Sequence, residues 1–232
     1  SVISIGNDAF YNNQLKEVTI PYSVTHIGEK AFGQNKLKKV IIPDSVTEID
    51  SQAFANNILT KVIIGNSVTK IGDEAFKTNQ LKEVIIGNSV TIIGIGAFQK
   101  NKLTKVTIPD SVTEIYSDAF QSNQLQEVII GNSVTSIYPR AFKDNRLTKV
   151  IIPDSVTGIG EAAFDDNKLI SVTIGKYVTH IGRRAFAGNK TFTGNQLPEV
   201  IIPDSVTWIG NGAFTKNLLT KVTIGNSVTI IG

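Results

Sequence analysis

The sequence lacks cysteine and methionine altogether and has one tryptophan and two histidines among its 232 residues. The absence of cysteine excludes disulfide bonds, thiolate metal sites and a cysteine nucleophile. No stretch approaches the roughly 18 consecutive apolar residues of a membrane span. Residues 1–10 also lack the basic segment and apolar run of a signal peptide. We therefore expect no membrane span and no intact signal peptide.

Clustered positive charge is absent as well. The formal charge of +3 is spread thinly, and no run of Lys or Arg exceeds two residues. A nucleic-acid-binding protein usually carries a basic patch, so we expect no nucleic-acid partner. The chain begins without Met, in SVISIG, and ends in the similar phrase SVTIIG. We expect it to be a fragment of a longer protein.

What the sequence does contain is a repeat of 22 residues. Its consensus is L-x-x-V-x-I-[PG]-x-S-V-T-x-I-G-x-x-A-F-x-x-N-x, and about ten copies fill residues 1–232 as one domain. The step lengthens once to 28 residues, where FAGNKT is followed by FTGNQL, which indicates a six-residue insertion at 190–195. The leucines that mark the repeat are Leu15, Leu37, Leu59, Leu81, Leu103, Leu125, Leu147, Leu169, Leu197 and Leu219.

Each repeat predicts one coil of a stacked structure. The V-x-I segment has a period of two, so we expect a strand with Val and Ile pointing inward. Pro or Gly ends this strand, a second extended segment follows in S-V-T-x-I-G, and D/E-x-A-F predicts a single helical turn. One coil cannot bury its apolar side, whereas stacked coils bury a continuous core. The predicted fold class is an α/β repeat solenoid with a parallel sheet.

Stacking also places identical polar residues above one another. The Asn column, which includes Asn35, Asn57 and Asn79, suits this arrangement because an amide can donate to the Asn above and accept from the Asn below. We expect a structural role for this column and for the Thr column that runs from Thr25 to Thr229.

Two segments of the consensus carry a family resemblance. L-x-x-V-x-I resembles the strand of leucine-rich repeats, and I-P-x-S-V-T-x-I-G-x-x-A-F resembles the BspA-like bacterial family over the whole chain. The common leucine-rich motif has Asn or Cys where this chain has Ser45, Ser67 and Ser89. The BspA-like pattern usually has a Cys and one more residue after A-F, where this chain has Asn and a 22-residue period.

The resemblance implies a right-handed leucine-rich repeat horseshoe or rod. It has a parallel β-sheet on its concave face, with short second strands and single helical turns elsewhere. The resemblance further implies a bacterial cell-surface or secreted protein, hence an extracellular or surface location. It also implies binding to host or neighbouring-cell proteins.

The sequence offers no convergent set of catalytic groups. His26 and His180 occupy the same column seven repeats apart, which separates them by roughly 30 to 35 Å at the strand spacing. They cannot share a metal ion or a proton, and each is interpreted as a surface residue. Adjacent carboxylates such as Asp73 and Glu74 are expected to point into solvent. We expect no enzyme activity, no cofactor and no metal site.

The candidate binding residues lie on the predicted outer surface. The residue between the inward Val and Ile of the first strand is Ile in six coils and Thr in four. An apolar stripe of this kind often marks an interaction site, although Ile is also simply a strong strand former. The predicted contact residues are Ile41, Ile63, Ile85, Thr107, Ile129, Ile151, Ile201, Lys39, Trp208 and Phe192.

Three functions remain open at this point. The first is a non-enzymatic recognition or adhesion module that binds a protein, such as a host matrix or cell-surface protein, through the concave sheet. The second is a passive spacer that presents another domain. The third is a flat array that binds ice or polysaccharide through the Thr column. The insertion is either a tolerated surface loop or a contact segment that presents Phe192.

Overall fold

A computed structural model describes residues 1–188 and 194–232, and these residues form one stack of similar coils. Each coil from Leu37 onwards contributes a first strand from the V-x-I segment, and every coil contributes a second, two-residue strand from the S-V-T-x-I segment. All strand pairs are parallel and join residues of successive coils in register. Among the described residues, no helix is long and apolar enough to cross a membrane.

The strands alternate along the chain. The second strands are β1 Ser4–Ile5, β2 His26–Ile27, β4 Glu48–Ile49, β6 Lys70–Ile71, β8 Ile92–Ile93, β10 Glu114–Ile115, β12 Ser136–Ile137, β14 Gly158–Ile159, β16 His180–Ile181, β18 Trp208–Ile209 and β20 Ile230–Ile231. The first strands are β3 Lys39–Ile42, β5 Lys61–Ile64, β7 Glu83–Ile85, β9 Lys105–Thr107, β11 Glu127–Ile129, β13 Lys149–Ile151, β15 Ser171–Thr173, β17 Glu199–Ile201 and β19 Lys221–Thr223.

The parallel-strand solenoid is confirmed, but the α/β class and the helical turns are wrong. The described residues contain strands and turns and no helix. The continuous sheet is also not the one expected from the V-x-I segments. Eleven second strands form a single sheet from β1 to β20, whereas the first strands form one three-stranded sheet and three two-stranded sheets.

The segment around each Phe is a stack of turns because its N–H groups point alternately in two directions. The N–H groups of Glu74, Phe76 and Thr78 donate to carbonyls of the next coil at 2.7 to 2.9 Å. Those of Ala75 and Lys77 donate within the segment. Glu74 and Thr78 have φ values of 56° and 54°, and such left-handed residues do not continue an α-helix.

The core is a set of apolar columns that run the length of the stack. The Val, Ile and Leu columns are almost fully buried except at the two ends. The Phe rings stack face to face, with centroids of successive rings 5.3 or 5.4 Å apart. The predicted inward columns are therefore confirmed.

The Asn column holds the coils together, but its amides do not bond to one another. The Nδ2 group of Asn101 donates to the carbonyl oxygens of Phe76 at 2.9 Å and Phe98 at 3.1 Å. Its Oδ1 accepts from the N–H of Leu81 at 3.0 Å. The expected ladder of amides is replaced by bridges between backbone groups of adjacent coils, because those buried groups would otherwise lack partners.

The hydrogen bonds also define how the insertion is aligned. Asn195 is fully buried and occupies the Asn position of its coil, accepting from the N–H of Leu169 at 2.9 Å. Its Nδ2 donates to the carbonyl oxygens of Phe164 and Phe186. The additional residues are therefore 189–194, one position earlier than the repeated phrases indicate. Phe192 lies outside the described residues.

A choice between Pro and Gly after the first strand determines where its sheets end. Each first-strand sheet begins at a coil with Pro and ends at the coil before the next Pro, as at Pro109 after Gly87. Proline has no N–H and restricts the residue before it, which disfavours pairing on that side. Gly131 lies in the coil after Pro109. Any other residue there would place its Cβ 2.3 Å from the carbonyl oxygen of Pro109, which is too close.

Removal of one buried amide should destabilise the stack strongly. Asn101→Ala leaves the fully buried N–H of Leu81 without its partner and removes one of the two amide donors to the carbonyl of Phe76, which is also fully buried. We expect a loss of about 3 kcal/mol in the free energy of unfolding by urea titration. The control is Asn13→Ala at the exposed end of the column. Within the described part of the chain its side chain bonds only to Tyr11, so we expect a loss below about 0.5 kcal/mol. Equal losses would contradict the bridging role.

Backbone strain provides a second test. Thr78 is exposed and β-branched, and its φ of 54° is unfavourable for such a residue. Thr78→Gly should raise the free energy of unfolding by about 0.5 to 1 kcal/mol. Thr104→Gly is the matched control, since Thr104 is exposed without a positive φ, and we expect it to be destabilising. Calorimetric melting of both variants measures the difference, and destabilisation by both would refute the strain.

Candidate binding face

The predicted isoleucine stripe lies on the outer side of the first strands. Five of its isoleucines are 46 to 65% exposed, while their strand neighbours on either side in the chain point into the core. Ile63 is half-buried between Ile41 and Ile85, with which it is in register. Thr107 is exposed and in register with Ile129. The exposed isoleucines are Ile41, Ile85, Ile129, Ile151 and Ile201.

A column of charged residues borders the stripe. Lys61 Nζ lies 3.0 Å from Glu83 Oε1, and Lys105 Nζ lies 2.9 Å from Glu127 Oε1. These exposed ion pairs contribute little stability, but they keep opposite charges next to the apolar side chains. Lys39 is exposed and in register with Lys61, so two like charges are adjacent at this end of the face.

Shallow grooves cross the face where the first strands are not hydrogen-bonded into one sheet. One of them has a volume of about 650 Å³ and lies between β7 and β9. Its lining includes Ile85, Thr107 and the oppositely charged Glu83 and Lys105. Two smaller grooves, of about 340 and 290 Å³, lie before the coils of Pro43 and Pro203. Sequence analysis missed these grooves, although the Pro and Gly alternation marks their positions.

Trp208 does not lie on this face. It belongs to β18 in the eleven-stranded sheet, where its ring is tilted against that of His180 with centroids 6.2 Å apart. The predicted contact residues are therefore divided between two sheets. Phe192, outside the described residues, is placed with neither.

The hydroxyl groups of the exposed Thr column form hydrogen bonds between adjacent coils. Thr69 Oγ1 donates to the carbonyl oxygen of Thr47 at 3.2 Å, and Thr91 Oγ1 donates to that of Thr69 at 3.1 Å. The same carbonyls also accept the backbone N–H of the next Thr. The hydroxyl protons are used between coils, which confirms the structural role and leaves the column without free donors for a ligand.

Two clusters of charged and polar residues are bonded in ways that suit a structural role. Asp165 is fully buried. Its Oδ2 lies 3.0 Å from Lys143 Nζ, and its Oδ1 lies 3.1 Å from Arg184 Nη2. On the outer side of the second strands, Tyr116 stacks on Tyr138 with centroids 4.7 Å apart. The Tyr116 hydroxyl donates to Glu114 at 2.7 Å. This hydrogen bond, then burial and the carboxylate charge, raise the pKa of Tyr116 to about 12.

The profile of the BspA type leucine rich repeat region matches residues 3–126, 69–192 and 188–232. The chain belongs to this family. No curated protein is significantly similar to the chain in sequence. The coils described above are thus BspA-type repeats, with Asn bridges in the position that follows each A-F segment.

Two solved bacterial structures resemble this BspA-type chain. A leucine-rich cell surface protein of Faecalibacterium prausnitzii is 30% identical, with a TM-score of 0.60 over 97% of this chain and 70% of that protein. A leucine-rich repeat protein of Bacteroides ovatus is 23% identical, with a TM-score of 0.56 over 100% of this chain and 78% of the other. The second likeness supports the fold alone.

The Tyr116 pKa can be measured by following the ring carbon signals of labelled tyrosine by NMR. We expect ionisation near pH 12, and Glu114→Gln should move the pKa towards the usual value of about 10. Because the folded-state pKa is raised, the stabilisation from this bond is complete below about pH 10 and is lost as the pH rises through 12. Glu48→Gln, in a distant coil, serves as the control. An unchanged Tyr116 pKa in Glu114→Gln would disprove the assignment.

Proposed function

We propose that this chain is a non-enzymatic recognition module that binds a protein partner through the outer face of its first strands. The observation that carries the proposal is the row of exposed isoleucines on that face. Single exposed apolar residues are ordinary, whereas an aligned set along one sheet face is typical of an interaction surface.

The grooves strengthen the proposal because side chains of a partner can fit into them. At the junction of β7 and β9, an isoleucine and a threonine lie beside a lysine and a glutamate in one concave site. Apolar anchors surrounded by charged groups are the usual composition of a protein interface. The partner that fits is a protein surface with apolar side chains that enter the grooves and polar groups that meet the Lys and Glu column.

The location we propose is extracellular or on the bacterial cell surface. The support is the BspA-type family and the surface protein of Faecalibacterium prausnitzii, which is 30% identical. The class of partner we propose is accordingly a host matrix protein or a protein of a neighbouring cell surface. No cofactor takes part, since binding rests on side-chain contacts alone.

A spacer function is the second candidate. The observation in its favour is the eleven-stranded sheet, which runs from Ser4 to Ile231 with the same register in every coil. Such uniformity stiffens a rod without requiring a ligand. A panel of purified matrix and cell-surface proteins in surface plasmon resonance separates the two functions, and failure to bind any of them would favour the spacer.

The recognition face is tested by replacing Ile41, Ile85, Ile129 and Ile151 together with Thr. Threonine occupies the same column at Thr107 and Thr173, so each coil should retain its strand. If each change costs about 1 kcal/mol of apolar contact, the four together cost about 4 kcal/mol, and binding to a partner from the panel should weaken about 1,000-fold.

The matched control replaces Ile95, which is 45% exposed but lies outside the first strands and lines none of the three grooves, with Thr. We expect this variant to keep the affinity of the unchanged chain. Circular dichroism should be the same for all three proteins. Full affinity in the fourfold variant, or equal losses in both variants, would disprove the assignment to this face.

A further inference from the structure

A histidine and two carboxylates converge on the outer side of the eleven-stranded sheet. His26 in β2 is in register with Glu48 in β4, and Asp50 follows β4 by one residue. Because alternate strand residues share a side, all three point away from the buried Ile27 and Ile49. His26 Nε2 lies 3.1 Å from Asp50 Oδ2, and one ligand atom from each residue lies within 4.8 Å of the others.

The carboxylate of Asp50 departs from the repeat. Eight of the eleven coils have Gly at this position and two have Tyr. In the preceding coil, a Cβ at Gly28 would lie 2.6 to 2.8 Å from Asn7, and one at Gly72 would lie 2.5 Å from the backbone of Asp50. The column therefore favours Gly. Asp50 places a side chain in this crowded column at the coil next to His26.

We propose that His26, Glu48 and Asp50 form a binding site for a divalent transition-metal ion, with Zn²⁺ as the best match. Zn²⁺ accepts both imidazole nitrogens and carboxylate oxygens as ligands, whereas Ca²⁺ and Mg²⁺ prefer oxygen ligands alone. Zinc–ligand distances of about 2.0 to 2.2 Å require ligand atoms about 3.4 Å apart. The His26–Asp50 separation of 3.1 Å is close to this value.

Glu48 is the ligand that has to move. It is exposed and makes no hydrogen bond or ion pair with another described residue, so its carboxylate can move from at most 4.8 Å to about 3.4 Å from the other ligand atoms without breaking one. Water completes the coordination from the open side of the sheet. The site lies on the second strands, so it is separate from the proposed recognition face on the first strands.

His180 supplies an internal comparison. It occupies the same column as His26, but its neighbours in register are Gly158 and Trp208, and its Nδ1 contacts the hydroxyl of Thr179 at 2.8 Å. No carboxylate joins it in a cluster of three potential ligands within the described part of the chain. The shared column made the two histidines look alike in sequence, but the carboxylate of Asp50 lies beside His26 alone.

Isothermal titration of the tag-free chain with ZnCl₂ tests the proposal. We expect one Zn²⁺ per chain, and His26→Gln, Glu48→Gln and Asp50→Gly should each weaken binding by about tenfold or more. Asp50→Gly restores the usual residue of the column, so it should fold at least as stably, which melting in EDTA will show. The imidazole nitrogen signals of His26, and not those of His180, should shift on addition of Zn²⁺ in NMR spectra.

His180→Gln is the matched control and should bind Zn²⁺ as tightly as the unchanged chain. The proposal is overturned if the unchanged chain takes up no Zn²⁺. It is also overturned if Asp50→Gly or His26→Gln binds as tightly as the unchanged chain, or if His180→Gln loses as much affinity. Partner binding through the first strands does not enter any of these measurements, so the two proposals fail independently.

Discussion

The buried asparagine amides satisfy backbone groups that each coil cannot satisfy by itself. Turning the chain at every Phe leaves carbonyl and N–H groups inside the stack, where an unpaired polar group costs about 1 to 3 kcal/mol. One amide supplies two donors and an acceptor in the geometry that these groups require. The rest of the structure depends on this bridge. It sets the spacing between adjacent coils and hence the register of both sets of strands.

The sequence predicted the elements that repeat as apolar columns. The strands, the buried Phe stack and the outward isoleucines follow from period and burial alone, and the structure places them accordingly. The turn at each Phe was wrongly predicted to be helical, because Ala and Phe are compatible with a helix. Its left-handed residues are mostly Lys, Gln, Asp and Asn, and the few glycines in those columns, among them Gly96 and Gly212, are a weak sequence signal of a positive φ.

In the candidate sites, contacts between neighbouring coils were harder to predict from the sequence than the columns themselves. The sequence gives each column separately, so it indicated the exposed isoleucines but not the grooves between β7 and β9. In the same way, it placed His26 in a column of variable residues without showing that Asp50 of the next coil would meet it. Both features depend on residues that differ from the consensus in two adjacent coils. A single consensus repeat does not show such differences.

The separation of the first strands into short sheets has a mechanical consequence. The hydrogen bonds between coils run along the axis of the stack, so a force that pulls on its two ends loads the junctions in series. Junctions that precede a Pro coil retain the second-strand pairs but lack the first-strand pairs. Under tension these junctions yield first, and every coil that then unravels releases about 70 to 80 Å of chain. The prolines thus set the places at which the rod gives way.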